Sequence, residues 1–169
     1  NAVMPEGLFE NWTNIRALKL RWCKLTGPIP TGISALSNLQ DLDLTGNNFT
    51  GTIPRGLYGL TSLKHLQLGS NPYLEGSFAE RLPASLVSLD YVLTPKVVGS
   101  IADGISGLTE LTELIFSYQE GHDEGPIPAA LGSLTRLTTL RLSSVGLQGG
   151  IPESLSNLVG LTELSLDEN

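Results

Sequence analysis

Seven copies of one short pattern recur along the chain at nearly constant spacing, and no other feature limits the fold so tightly. An apolar residue is followed, three positions on, by two more with a single residue between them. The copies begin at Ile15, Leu39, Leu63, Leu86, Leu111, Leu137 and Leu161, at intervals of 24, 24, 23, 25, 26 and 24 residues. Their paired apolar positions are Leu18/Leu20, Leu42/Leu44, Leu66/Leu68, Leu89/Tyr91, Leu114/Phe116, Leu140/Leu142 and Leu164/Leu166. Alternation of this kind is the period of a strand with one buried face. Strands one repeat apart must run parallel, and none can bury its apolar face alone. Stacked neighbours close the core between them. Seven strands about 4.8 Å apart predict a sheet roughly 30 Å wide.

The rest of each unit is equally regular. Three residues after the second apolar position stands Cys23, Asn47, Asn71, Thr94, Gln119, Val145 or Asn169. An Asn there satisfies backbone groups where the chain leaves the strand, inside an otherwise dry interior. Cys23 reads as a small buried residue rather than a reactive thiol, which needs an exposed electropositive setting. Val145 has no side-chain hydrogen bond to offer, which predicts a weaker ladder in the C-terminal half. Next come Gly27-Pro28-Ile29-Pro30, Gly51-Thr52-Ile53-Pro54, Gly125-Pro126-Ile127-Pro128 and Gly149-Gly150-Ile151-Pro152. Gly permits positive φ and Pro lacks an N–H, so these segments turn the chain. Short helical or 3₁₀ stretches follow, such as Ser34–Leu36 and Ser154–Ser156, and return a Leu to the core.

The whole unit, LxxLxLxxNxLxGxIPxxLxxL, resembles the plant-type (extracellular) leucine-rich repeat of receptor-like kinase ectodomains and polygalacturonase-inhibiting proteins. The resemblance covers nearly the entire chain. It implies an α/β solenoid, a right-handed superhelix with a concave parallel β-sheet and short 3₁₀ or helical segments on the convex side. A short second sheet is implied near the Gly-x-Ile-Pro segments. The family carries no catalytic residues in these repeats, so none transfers, and a non-catalytic ligand-recognition module outside the cell or at its surface is implied. Met4-Pro5-Glu6-Gly7-Leu8 matches the second half of a unit. Residues 1–14 are therefore expected to be the tail of a preceding repeat, and residues 15–169 an array belonging to a longer one. Capping segments, which in this family usually carry Cys pairs, are not recognisable at either end.

Composition narrows the function further. At 40% hydrophobic and 16% charged residues, the chain is too apolar for a disordered segment and too sparsely charged for a coiled coil. A net charge of −7 disfavours nucleic acid, whose phosphates require clustered Lys and Arg. No apolar run approaches 18 residues, so no segment is expected to insert in a membrane. One Cys gives neither a disulfide framework nor a metal-site spacing. No nucleophile, base and orienting group can be placed together with only two His available, and there is no Gly-rich phosphate loop. Catalytic residues, metals and cofactors are not expected.

Three units depart from the pattern. Asn71–Gly76 carries one extra residue and replaces Ile-Pro with Phe78-Ala79. Thr94–Gly99 also carries one, with Ala102 in place of Pro. Gln119–Gly125 carries two. Insertions in solenoids fall in loops on one side, often beside a binding surface. Glu120, His122, Asp123 and Glu124 in the last loop read as a solvated acidic loop. Calcium needs six or more oxygens at defined spacing, and one His with carboxylates does not specify zinc.

Candidate contact residues come from the solvent-facing strand positions. Val92, Leu93, Ile115 and Tyr118 would form an apolar patch across two adjacent strands, unless a flanking loop covers it. Trp22 beside Lys19 and Arg21 is a second candidate, and His65 also lies on the concave face. The implied ligand is a protein, peptide or glycan. A structural wall, matrix or filament component that packs against its own copies is the alternative. Ice binding would need a regular Thr or Asn column, but the column after the Gly reads Pro28, Thr52, Ser77, Ser100, Pro126, Gly150. Asn11-Trp12-Thr13 and Asn48-Phe49-Thr50 are glycosylation sequons on exposed positions, in keeping with a secreted protein.

Overall fold

A computed structural model describes residues 2–77, 82–92, 96–98, 105, 107–117 and 125–169. In chain order its strands are β1 (Ala2–Val3), β2 (Ala17–Lys19), β3 (Leu25–Gly27), β4 (Asp41–Asp43), β5 (Asn48–Phe49), β6 (Gly51–Thr52) and β7 (His65–Gln67). They continue with β8 (Leu74–Ser77), β9 (Ser88–Asp90), β10 (Lys96–Val98), β11 (Glu113–Ile115), β12 (Thr139–Arg141) and β13 (Glu163–Ser165). Among the described residues five 3₁₀ turns intervene: η1 (Glu6–Phe9), η2 (Thr31–Ala35), η3 (Arg55–Gly59), η4 (Ala129–Ser133) and η5 (Glu153–Asn157).

The alternating triplets build one parallel seven-stranded sheet, ordered β2-β4-β7-β9-β11-β12-β13. Its register places Leu18, Leu42, Leu66, Leu89, Leu114, Leu140 and Leu164 in a single row. Leu42 through Leu140 in that row are fully buried, whereas Leu164 on the edge strand is 45% exposed. Each buried Leu contributes about 1.5–3 kcal/mol, and only because the next repeat covers it. Tyr91 and Phe116 take the second apolar position in two repeats, fully buried with ring centroids 6.1 Å apart. The short second layer consists of two sheets, β1-β3-β5 and β6-β8-β10, so the second repeat supplies a strand to each.

The turn off each strand is built the same way. The residue before the ladder position has positive φ: Trp22 (54°), Gly46 (73°), Ser70 (55°), Ser144 (55°) and Glu168 (59°). The ladder Asn then bonds both its own turn and the repeat before it. Asn47 accepts the N–H groups of Cys23 and Leu25 at 3.1 and 3.0 Å, and donates to the carbonyls of Leu20 and Leu44 at 2.7 and 2.8 Å. Asn71 accepts from Phe49 and donates to Leu44 and Leu68. Asn169 does the same for Val145, Leu147, Leu142 and Leu166.

One expectation changes here. Cys23 is exposed, not buried. It stands on the edge strand's turn, whose backbone is already served by Asn47, and its thiol donates only to the Arg21 carbonyl at 3.3 Å. Val145 is buried as an apolar filler, and its own N–H is accepted by Asn169. A side chain missing at position 145 therefore concerns the repeat before it. A second set of rungs also runs through the C-terminal half: the hydroxyls of Thr112, Thr138 and Thr162 donate to the carbonyls of Val87, Thr112 and Thr138 at 3.1, 3.0 and 2.9 Å. Thr94 and Gln119 lie outside the described residues.

On the convex side each of these five 3₁₀ turns follows a proline, Pro5, Pro30, Pro54, Pro128 or Pro152, with φ between −59° and −70°. Proline's fixed φ suits the entry to a helical turn, and the N–H it lacks would be unpaired there anyway. Successive turns pack directly: η1 on η2, η2 on η3, η4 on η5. Gly132 admits this closeness, because a Cβ on it would lie 2.3 Å from the Ser154 carbonyl oxygen.

Candidate functional site

Pleating sends alternate residues of the seven strands away from the core, and parallel register aligns them into rows across the concave face. One row runs Asp41, His65, Ser88, Glu113, Thr139, Glu163, and the next Asp43, Gln67, Asp90, Ile115, Arg141, Ser165. The curvature crowds this face. Asp43, Ser88 and Ser117 are buried, although they are polar.

At the N-terminal end the charges are paired. Lys19 Nζ lies 2.6 Å from Asp41 and Arg21 Nε 3.2 Å from Asp43, whose carboxylate also accepts the Thr45 N–H at 3.1 Å. The hydrogen bond to Asp41 is the main reason that the Lys19 ammonium holds its proton above the usual value. Trp22 is 66% exposed, with its indole lying over Gly46.

In the centre the pattern differs. Glu113 accepts from the Ser88 hydroxyl at 2.6 Å, which draws it across to β9. There Asp90 accepts the Val92 N–H at 3.1 Å. Burial pushes the Asp90 carboxyl above its ordinary value; the Val92 N–H works against that, and the Glu113 charge adds to it.

Beyond Asp90 the face opens into a hollow of about 590 Å³, lined by Val92, Ile115, Ser117, Arg141, Ser143, Glu163, Ser165, Asp167 and Glu168. Arg141 Nε meets Glu163 at 2.6 Å. Ser143 and Ser165 share a hydrogen bond of 2.7 Å, and Ser165 also donates to Asp167 at 2.6 Å. An apolar floor with donors and acceptors around it suits the side chains and backbone of an extended polypeptide.

Of the residues singled out in the sequence, Val92 and Ile115 come together, half-buried in the floor of this hollow. Leu93 and Tyr118 lie outside the described residues, as does the loop with Glu120, His122, Asp123 and Glu124. Lys19, Arg21 and Trp22 form a separate group at the other end, and His65 lies between, beside Asp41. Arg141, Glu163, Ser143 and Ser165 carry no distinguishing mark in the sequence. Only the cross-strand rows could have found them, since each is ordinary within its own repeat. Asn11 and Asn48 are exposed with their sequon threonines, and neither lies on the concave sheet. Among the described residues no group of three His, Cys, Asp or Glu side chains converges to hold a metal ion, and no helix is long and apolar enough to cross a membrane.

Comparison with known proteins agrees with this architecture. Leucine-rich repeat family models match residues 13–72 and 136–158. The PEPR1–AtPEP1 crystal structure is 34% identical over 99% of this chain, with a TM-score of 0.85. The ectodomain of the Arabidopsis receptor kinase HAESA, solved with an N-terminally extended (lengthened) IDA peptide hormone ligand, is 33% identical over 82% of the chain, with a TM-score of 0.70. A leucine-rich repeat protein of the bacterium Leptospira interrogans is 28% identical over 91%, with a TM-score of 0.71. The chain spans 23%, 23% and 37% of the lengths of those three structures. No curated protein sequence matches it. The chain belongs to the leucine-rich repeat family, and its repeats are of the type that builds plant receptor kinase ectodomains.

Proposed function

We propose that the chain is a non-catalytic, extracellular or cell-surface recognition module that holds a peptide or protein ligand on its concave face. In this reading residues 15–169 serve as one stretch of a longer receptor-like array, and Asn11 and Asn48 carry glycans clear of the ligand. The hollow floored by Val92 and Ile115 carries the proposal, because it breaks the polar regularity of the face with an apolar step. The likeness to ectodomains such as that of HAESA, solved with a peptide hormone, supports it. A random peptide library displayed on phage and panned against the folded chain tests the reading. Peptides enriched on the native chain should be lost on Val92→Asp and Ile115→Asp variants that keep the native circular dichroism. Retained binding would mean that the ligand sits elsewhere. Concentration-dependent assembly with no peptide enriched would favour a self-packing matrix component instead.

A further inference from the structure

The concave face is electrically uneven. On β2 and β4 each carboxylate has its cation, Lys19 on Asp41 and Arg21 on Asp43. On β12 and β13 Arg141 is taken by Glu163. Between these pairs Asp90 and Glu113 stand on neighbouring strands, and among the described residues neither has a cation within ion-pair distance. Both are held by hydrogen bonds, to the Val92 N–H and the Ser88 hydroxyl, so their orientation is fixed before anything binds. Two carboxylates fixed side by side repel each other. A bound cation relieves that repulsion and forms charge-assisted hydrogen bonds.

The apolar step adjoins them. Asp90 and Ile115 are register partners one strand apart, about 4.8 Å. Residues two apart on an extended peptide project to the same side, about 6.7 Å from each other. The same two-residue step separates Glu113 from Ile115 and Asp90 from Val92. An acidic ligand would meet Asp90 and Glu113 together and be repelled.

Resting on the concave-face reading above, we infer that the ligand is an extended basic peptide. It seats a Leu, Ile or Val side chain on Val92 and Ile115, and lays a Lys or Arg two positions away over Asp90 and Glu113. The match between the charges left over on the face and a cationic partner carries this assignment. The binding it predicts weakens with added salt, because the contact is an ion pair at a partly solvated surface.

The phage panning described above reads both layers when followed by one synthetic peptide. Enriched sequences should show an aliphatic residue and a Lys or Arg two positions apart. The synthesised peptide should bind Asp90→Asn and Glu113→Gln about tenfold or more weakly than the native chain. Replacing its cation with citrulline should cause a similar loss on the native chain and little further loss on the double variant. Both substitutions keep the acceptor for Val92 or Ser88, so folding is preserved and is checked by circular dichroism. Enriched peptides that need Ile115 but carry no basic residue overturn this inference and leave the concave-face reading intact. So does binding unchanged in Asp90→Asn and Glu113→Gln. Peptides indifferent to Val92→Asp and Ile115→Asp overturn the reading beneath it, and enrichment of acidic peptides overturns the charge assignment outright.

Discussion

Gly46 shows how much a single position depends on what its neighbour can do. A Cβ on it would fall 2.2 Å from the Trp22 ring, and its φ of 73° disfavours any side chain. The ring is exposed and hinged at its own χ angles, so it can swing away. Gly46→Ala should therefore cost about 1 kcal/mol, mostly from the backbone, and should displace the indole. In a Trp12→Phe background, tryptophan fluorescence should shift to the red while the urea midpoint falls only slightly; an unchanged spectrum would refute the stacking. Asp90 has the opposite character: in the basic-peptide reading, recognition rather than stability accounts for it. Its carboxyl is held above the ordinary 3.8, chiefly by burial. A raised folded-state pKa means that the stability linked to this group is present below about 3.8 and is lost as pH rises through the folded value. Asp90→Asn removes that loss. Its urea midpoint should exceed that of the native chain at pH 7, with the gap closing towards pH 3, while peptide binding falls. A gain in stability coupled to a loss of binding is the signature of a residue kept for recognition.

Among elements, the contrast is between contacts that can yield and contacts that cannot. The Cβ of an alanine at position 132 would press on the Ser154 backbone where η4 meets η5, so backbone rather than a flexible side chain would have to shift. Gly132→Ala should lower stability by about 2 kcal/mol. At Gly59, the last residue of η3, a Cβ would meet nothing within 4 Å, and φ is not positive. Gly59→Ala should be neutral or gain up to about 0.5 kcal/mol by restricting the unfolded chain. Equal losses in the two variants would show that convex packing is not what requires glycine. The elements themselves are largely legible in the sequence, because the period, the ladder Asn and the proline before each 3₁₀ turn each have a local cause. The site is legible only in part. Alternation identifies Val92 and Ile115 as facing out, but nothing in one repeat says that Arg141 is neutralised by Glu163 while Asp90 and Glu113 are not. Those facts belong to neighbours roughly one repeat away. Cys23 departs from expectation for a related reason: the side chain that satisfies its turn belongs to Asn47, one repeat on.

At the scale of the molecule, the repeats are joined by modest and similar links: a strand pairing, a rung of Asn or Thr, and a convex contact. Pulled from its ends, such a chain should yield in successive events, each releasing about 80 Å as one 24-residue unit straightens. A single rupture of the whole length in a force measurement would contradict that. The ladder bonds also fix how the chain acquires its shape. Every Asn or Thr rung between described repeats joins residues only 22 to 27 positions apart. No contact of this kind waits for a distant part of the chain to be made. Because each contact of this kind links neighbouring repeats, folding can start wherever two of them meet and grow from there. On the ribosome each new coil would find its template already formed by the one before it.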